Sequence, residues 1–77
     1  MKIKVTLFAY LKKYAPGGET DFEVDLPPGA GLDDLMQMIE VPAEVDRVAL
    51  VNGRHPKKDA GLAEGDVVTL FPPFTGG

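Results

Sequence analysis

The groups best placed to do chemistry in this sequence stand at its end. Phe71-Pro72-Pro73-Phe74-Thr75-Gly76-Gly77 leads from an apolar stretch through two prolines to a glycine pair that bears a carboxylate. A carboxylate is unreactive toward nucleophiles until it is activated, and the lack of a Cβ on the last two residues lets backbone and carboxylate approach a narrow slot on another protein closely. Pro72 and Pro73 hold φ at about −65° and offer no N–H, so they end the preceding strand and send the backbone outward in an extended form. Pro73 to Gly77 can then reach at most roughly 16 to 18 Å. The same composition also fits a frayed, glycine-rich terminus, and the tail alone leaves both readings open.

Other candidate groups carry less. His55 is the single histidine and stands beside a turn without evident partners. The carboxylates Asp33 and Asp34 fall at a helix start and Glu64 and Asp66 in a turn, places that explain them without metal or acid–base chemistry. There is no Cys, which excludes disulfides, thiolate metal ligands and a thiol nucleophile. Met36 and Met38 sit at core-like helical spacing rather than in a soft-metal motif.

The elements that must position the tail belong to one small domain. Its 77 residues are 44% hydrophobic, and twelve acidic against eight basic residues give a net charge of −4. The only basic clusters are Lys12-Lys13 and Lys57-Lys58, so the electrostatic footprint of nucleic-acid or anionic-membrane binding is missing. No apolar run approaches a membrane span, and Met1-Lys2 leads straight into a strand pattern, so a soluble, cytoplasmic protein that is monomeric alone is expected.

Along the chain, Ile3, Val5 and Leu7 alternate with Lys2, Lys4 and Thr6, the period of a half-buried strand, and Phe8 breaks it by falling on the polar face. Ala9–Ala15 reads as one or two helical turns ended by Pro16-Gly17-Gly18. Asp21–Leu26 alternates again with Phe22, Val24 and Leu26 on one face. Leu32, Leu35, Met36 and Ile39 then fall at i, i+3, i+4 and i+7, an amphipathic helix barred from continuing by Pro42. Arg47–Val51 is almost continuously apolar, which predicts a central strand or one covered on both faces. Asn52-Gly53 predicts a type I′ hairpin turn, with a short return at Arg54-His55 cut off by Pro56. Leu62 is a core anchor in the turn before the last strand, Asp66–Phe71. The predicted core is Ile3, Val5, Leu7, Val24, Leu26, Leu35, Ile39, Val48, Leu50, Leu62, Val67 and Leu70.

One helix and four or five strands call for an α+β domain in which the helix packs across a mixed sheet. The first and last strands can lie parallel and adjacent, leaving the tail to project from one end. This is the β-grasp arrangement of ubiquitin; a ferredoxin-like fold would need a second long helix that the pattern lacks. The domain is expected over residues 1–71, with 72–77 as a flexible Gly-Gly tail.

Leu7-Phe8-Ala9, Val51-Asn52-Gly53, Leu62 with Glu64-Gly65-Asp66, and Leu70-Phe71-Pro72-Pro73 running into Gly76-Gly77 together resemble the MoaD/ThiS family of sulfur carriers over essentially the whole chain. The terminal Phe-Pro-Pro-x-x-Gly-Gly is most like the MoaD branch, whereas the compact stretch between helix and hairpin is like the ThiS branch. At His55 family members often have an apolar residue.

The resemblance implies that an ATP-dependent adenylating enzyme, MoeB/ThiF-like, activates the Gly77 carboxylate and that a sulfur donor converts the acyl-adenylate to a thiocarboxylate. Pro72, Pro73, Phe74, Thr75 and Gly76 would form the tail inserted into a partner, and Phe8 and Phe71 the partner-binding surface, with Phe74 beside them. The carrier would bind no cofactor of its own, ATP being used by the activating partner, and would supply no catalytic side chain. Its sulfur would go to molybdopterin (molybdenum cofactor) biosynthesis through a MoaE-like molybdopterin synthase large subunit, or to a thiazole synthase or another sulfur-transfer pathway. The other class of function is a β-grasp module that only binds a partner, or a ubiquitin-like modifier conjugated through Gly77.

Overall fold

Alternation sets the centre of the sheet. Ile3, Val5 and Leu7 point inward and are almost completely buried along strand β1 (Lys2–Leu7), while the intervening Lys2, Lys4 and Thr6 face away. The computed structural model describes residues 1–42, 44–57 and 61–73. Among these, β1 is followed by a 3₁₀ segment (Ala9–Tyr14), strand β2 (Asp21–Asp25), helix α1 (Leu32–Met38), strand β3 (Val48–Val51) and strand β4 (Val67–Phe71). The four strands form one sheet in the order β2-β1-β4-β3. β2 lies antiparallel to β1, β4 lies parallel to β1, and β3 closes the far edge antiparallel to β4.

Helix α1 lays Leu35, Met36 and the following Ile39 into the core as the heptad-like spacing requires. Its start is fixed by Asp34, whose Oδ2 accepts a hydrogen bond from the Gly31 N–H at 2.8 Å, satisfying a donor just ahead of the first turn. It ends where Glu40 takes a left-handed conformation (φ 61°) and the Val41 N–H donates to the Met36 carbonyl at 3.0 Å. That is a Schellman-type stop, made without glycine and followed at once by Pro42.

The core differs from the sequence expectation at identifiable places. β3 is an edge strand, not a central one, and all four of its residues are only partly buried. Register explains this: Val48 lies opposite Phe71 and Leu50 opposite Thr69, on the face turned away from the helix. In β4 the inward residues are Val68 and Leu70, and Val67 is exposed, because pairing of Val68 with Val5 and Leu70 with Leu7 fixes which of two adjacent valines enters. Val24 lies toward the core but on the opposite edge strand, and is half-buried. Leu11, Ala30 and Val41, from the 3₁₀ segment and connecting loops, complete the core.

Asn52 (φ 54°) and Gly53 (φ 79°) form the expected left-handed turn after β3, but the return strand reduces to a single bridge between Val51 and Arg54.

Candidate functional site

The site is built around the root of the tail. β4 runs parallel to β1, so both strands finish at the same end of the sheet, next to the start of β3. Leu70 pairs with Leu7, the Phe8 N–H donates to the Leu70 carbonyl at 3.0 Å, and Phe71 pairs with Val48. Neither Pro72 nor Pro73 has an N–H to extend this ladder, and β4 stops at Phe71 as their chemistry demands. Pro72 is buried against the body and Pro73 is exposed. Phe74, Thr75, Gly76 and Gly77, the rest of the expected tail, lie outside the described residues.

Phe8 is presented deliberately. Its backbone is extended (φ −123°, ψ 154°), which continues the alternation of β1 and turns the ring to the open face, where it is 47% exposed. The next residue, Ala9, has φ 55°, a left-handed conformation that costs a non-glycine residue roughly 1–2 kcal/mol. It swings the chain into the 3₁₀ segment and stops Phe8 from continuing down the ladder. The segment is then tied across the sheet end by the Tyr10 hydroxyl, which donates to the Asp46 carbonyl at 2.5 Å. Arg47 Nη1 donates to the Val45 carbonyl at 3.0 Å, ordering the approach to β3.

Register divides the open face of the sheet into two halves. Phe8, Phe71 and Val48 lie at the tail end, with Leu50 farther along β3 and Val67 at the opposite end of β4; Lys2, Lys4, Glu23 and Asp25 lie toward β2. The tail therefore leaves the body from the apolar half. Phe8 and Phe71, the two residues expected to meet a partner, are adjacent in this surface, Phe71 half-buried beside the more exposed Phe8. Val48, Leu50 and Val67 extend it and were hidden in the sequence, where apolar residues in strands read as core. Partly exposed apolar groups gathered on one face of a small domain mark an interaction surface.

Of the remaining polar candidates, Asp66 and Glu64 have structural partners. Asp66 Oδ1 accepts from Asn52 Nδ2 at 2.9 Å and its Oδ2 from the Ala63 N–H at 2.8 Å, while Asn52 Oδ1 accepts from the Val67 N–H at 2.9 Å. Glu64 Oε1 accepts from the Lys2 N–H at 3.0 Å. These bonds stitch the hairpin and the turn to the starts of β1 and β4, at the end of the sheet opposite the tail. Asp33 and His55 are exposed, and among the described residues no group of three or more His, Cys, Asp or Glu side chains could hold a metal ion. No helix among them is long and apolar enough to cross a membrane.

A helix across a mixed sheet with parallel first and last strands is the ubiquitin-like β-grasp. The ThiS family model matches residues 5–77. Among solved structures, the chain is 32% identical to a Pyrococcus furiosus protein provisionally named molybdopterin converting factor subunit 1, over 95% of this chain and 98% of that one, with a TM-score of 0.78. It is 27% identical to SAMP1 from Haloferax volcanii over the full length of both chains, with a TM-score of 0.75. A ubiquitin-like protein from the hyperthermophilic archaeon Caldiarchaeum subterraneum is 25% identical over 99% of this chain and 100% of that one, with a TM-score of 0.52. No curated protein matches the chain significantly. The chain belongs to the MoaD/ThiS family of ubiquitin-like sulfur carriers. Proteins of this kind work with partner enzymes.

Proposed function

We propose that this protein carries sulfur as a thiocarboxylate on Gly77 and delivers it to molybdopterin synthesis. The observation that supports this most directly is that the family match runs through residue 77, so the Phe-Pro-Pro-Phe-Thr-Gly-Gly end is part of what the chain shares with its family. The body adds a surface suited to the task, an apolar face at the very point where the tail departs.

In the proposed sequence a carboxylate oxygen of Gly77 attacks the α-phosphorus of ATP held by the adenylating partner, and pyrophosphate leaves. A donor at the sulfide level then attacks the acyl carbon, a C–S bond forms, and AMP leaves with its oxygen. The apolar half of the open face docks the body while Pro72 to Gly76 thread the slot. Glycine at the reacting position leaves the carbonyl unshielded and lets the tail adopt one backbone conformation for adenylation and another for delivery. The carrier thus acts as a tethered substrate, and ATP and the catalytic groups belong to the partners. A large synthase subunit of the molybdopterin pathway is the proposed acceptor, in keeping with the name of the Pyrococcus relative.

The test is ATP–pyrophosphate exchange with the adenylating enzyme encoded by the same organism. The intact chain should support exchange, whereas removal of Gly77, or one residue appended after it, should abolish exchange and leave thermal unfolding unchanged. Appending a residue moves the carboxylate about 3.5 Å, and a misplacement of about 1 Å can already cost roughly a hundredfold in rate. Undiminished exchange by the extended chain would refute the reading and favour a module that only binds. Transfer of the activated carboxyl to lysines in place of sulfur would favour a modifier, and acceptance of the sulfur by a thiazole synthase would move the carrier to that pathway.

A further inference from the structure

We propose that the outer edge of β2, together with the groove beneath it, is a second docking site, for an extended protein segment in which apolar and basic residues alternate. Among the described residues, β2 is an edge of the sheet with no strand on its outer side. The Thr20 carbonyl accepts from the Leu7 N–H and the Leu26 N–H donates to the Met1 carbonyl, both at 2.9 Å. By the alternation of an antiparallel ladder, the backbone groups of Asp21, Glu23 and Asp25 therefore face outward, free to bond another strand.

What such a strand would meet on its two faces differs sharply. Below the edge lies a groove of about 510 Å³ between β2, the end of α1 and the segment that follows the first 3₁₀ turn. Tyr14, Ala15, Val24, Met38 and Ile39 line it, together with the charged Lys13 and Glu40. Lys13 Nζ stands 5.3 Å from the centre of the Tyr14 ring, a cation held against the aromatic wall of the groove. Met38, expected in the core from its helical spacing, instead lies off the core stripe of α1 and is 50% exposed, a large apolar side chain on the groove wall. On the open face the same edge presents Asp21, Glu23 and Asp25, all exposed, backed on β1 by Thr6, Lys4 and Lys2 respectively. Thr6 Oγ1 donates to Asp21 Oδ1 at 2.7 Å, holding the first carboxylate in place.

An incoming strand must alternate to match. Side chains on the helix side would pack over Val24 and Met38, and those on the open side would stand beside the three carboxylates, where basic residues are favoured and acidic ones opposed. A second copy of this chain is a poor occupant, since β2 against β2 would set one acidic row against another on molecules that each carry −4. The charges that guard this edge against self-pairing are the charges that select a basic partner. β2 and β3 are opposite edges of the sheet, so a strand added here leaves Phe8, Phe71 and Val48 free, and both sites can be occupied at once.

The probe is a capped peptide of alternating lysine and valine, added to the isotopically labelled full chain and followed by amide and methyl spectra and by hydrogen exchange. The Asp21, Glu23 and Asp25 amides should shift and exchange more slowly and the Met38 methyl should move, with Phe8 and Phe71 unaffected. A peptide of alternating aspartate and valine should not bind. Glu23→Lys, at an exposed position, should weaken binding roughly threefold or more, and added salt should weaken it further. Shifts confined to the Phe8 and Phe71 face, equal binding of the aspartate peptide, or unchanged binding by a chain carrying both Asp21→Lys and Glu23→Lys would each overturn the proposal.

Discussion

The Phe8 N–H donates to the Leu70 carbonyl at 3.0 Å, tying the aromatic residue that leaves β1 to the strand that carries the tail. The exposed Phe8 and the root of the C-terminal segment are thereby joined at one corner of the sheet. Truncating Phe8 to Ala should lower affinity for the adenylating enzyme about tenfold or more, as removal of an interface aromatic does. Because Phe8 is half exposed, its melting temperature should hardly change. Titration calorimetry and thermal unfolding on the same preparation check both halves, and unchanged affinity in a folded Phe8→Ala protein would move the docking surface elsewhere.

The core and the open face should respond differently to the same chemical change. Leu35 is fully buried, and Leu35→Ala should destabilise by about 2–5 kcal/mol through lost burial and the cavity left behind. Leu50 is only half-buried on the open face, and Leu50→Ala should cost about 1 kcal/mol or less. Denaturant melts of the two variants decide this, and a larger loss at Leu50 than at Leu35 would reverse the assignment of faces.

Asn52 holds the start of β4 by two side-chain hydrogen bonds, from its amide to Asp66 and from the Val67 N–H to its carbonyl oxygen. Asn52→Ala should destabilise by roughly 1–2 kcal/mol, lowering the melting temperature by several degrees in a domain of this size. Since the bonds lie at the end of the sheet away from the tail, the pyrophosphate-exchange rate at saturating carrier should be unchanged at a temperature where the variant is folded. A slowed rate under those conditions would give Asn52 a part in the partner contact.

Much of this was legible where pattern and environment agree. β1, β2 and the stripe of α1 follow from periodicity, because each has one face in the core and one in water. The Asn52-Gly53 turn follows from its need for positive φ. β3 and β4 were harder for a physical reason: apolar residues on the open face are indistinguishable, in sequence, from apolar residues in the core. Val48, Leu50 and Val67 belong to that face, and the Val67-Val68 doublet offers no alternation to say which enters. Leu11, Ala30 and Val41 were missed because 3₁₀ and loop residues carry no period. The exposure of Phe8 was hinted at by its break in the alternation of β1, whereas a docking role for Phe8 and Phe71 was implied by the family resemblance and not by the pattern.

The most direct measurement is the intact mass of the protein purified from its native host grown with ample sulfur. Replacement of one carboxylate oxygen by sulfur predicts a fraction heavier by about 16 Da, with fragment ions placing the gain on Gly77. That fraction should revert to the unmodified mass after incubation with the acceptor synthase and its substrate. A chain found only at its unmodified mass under these conditions would contradict sulfur carriage.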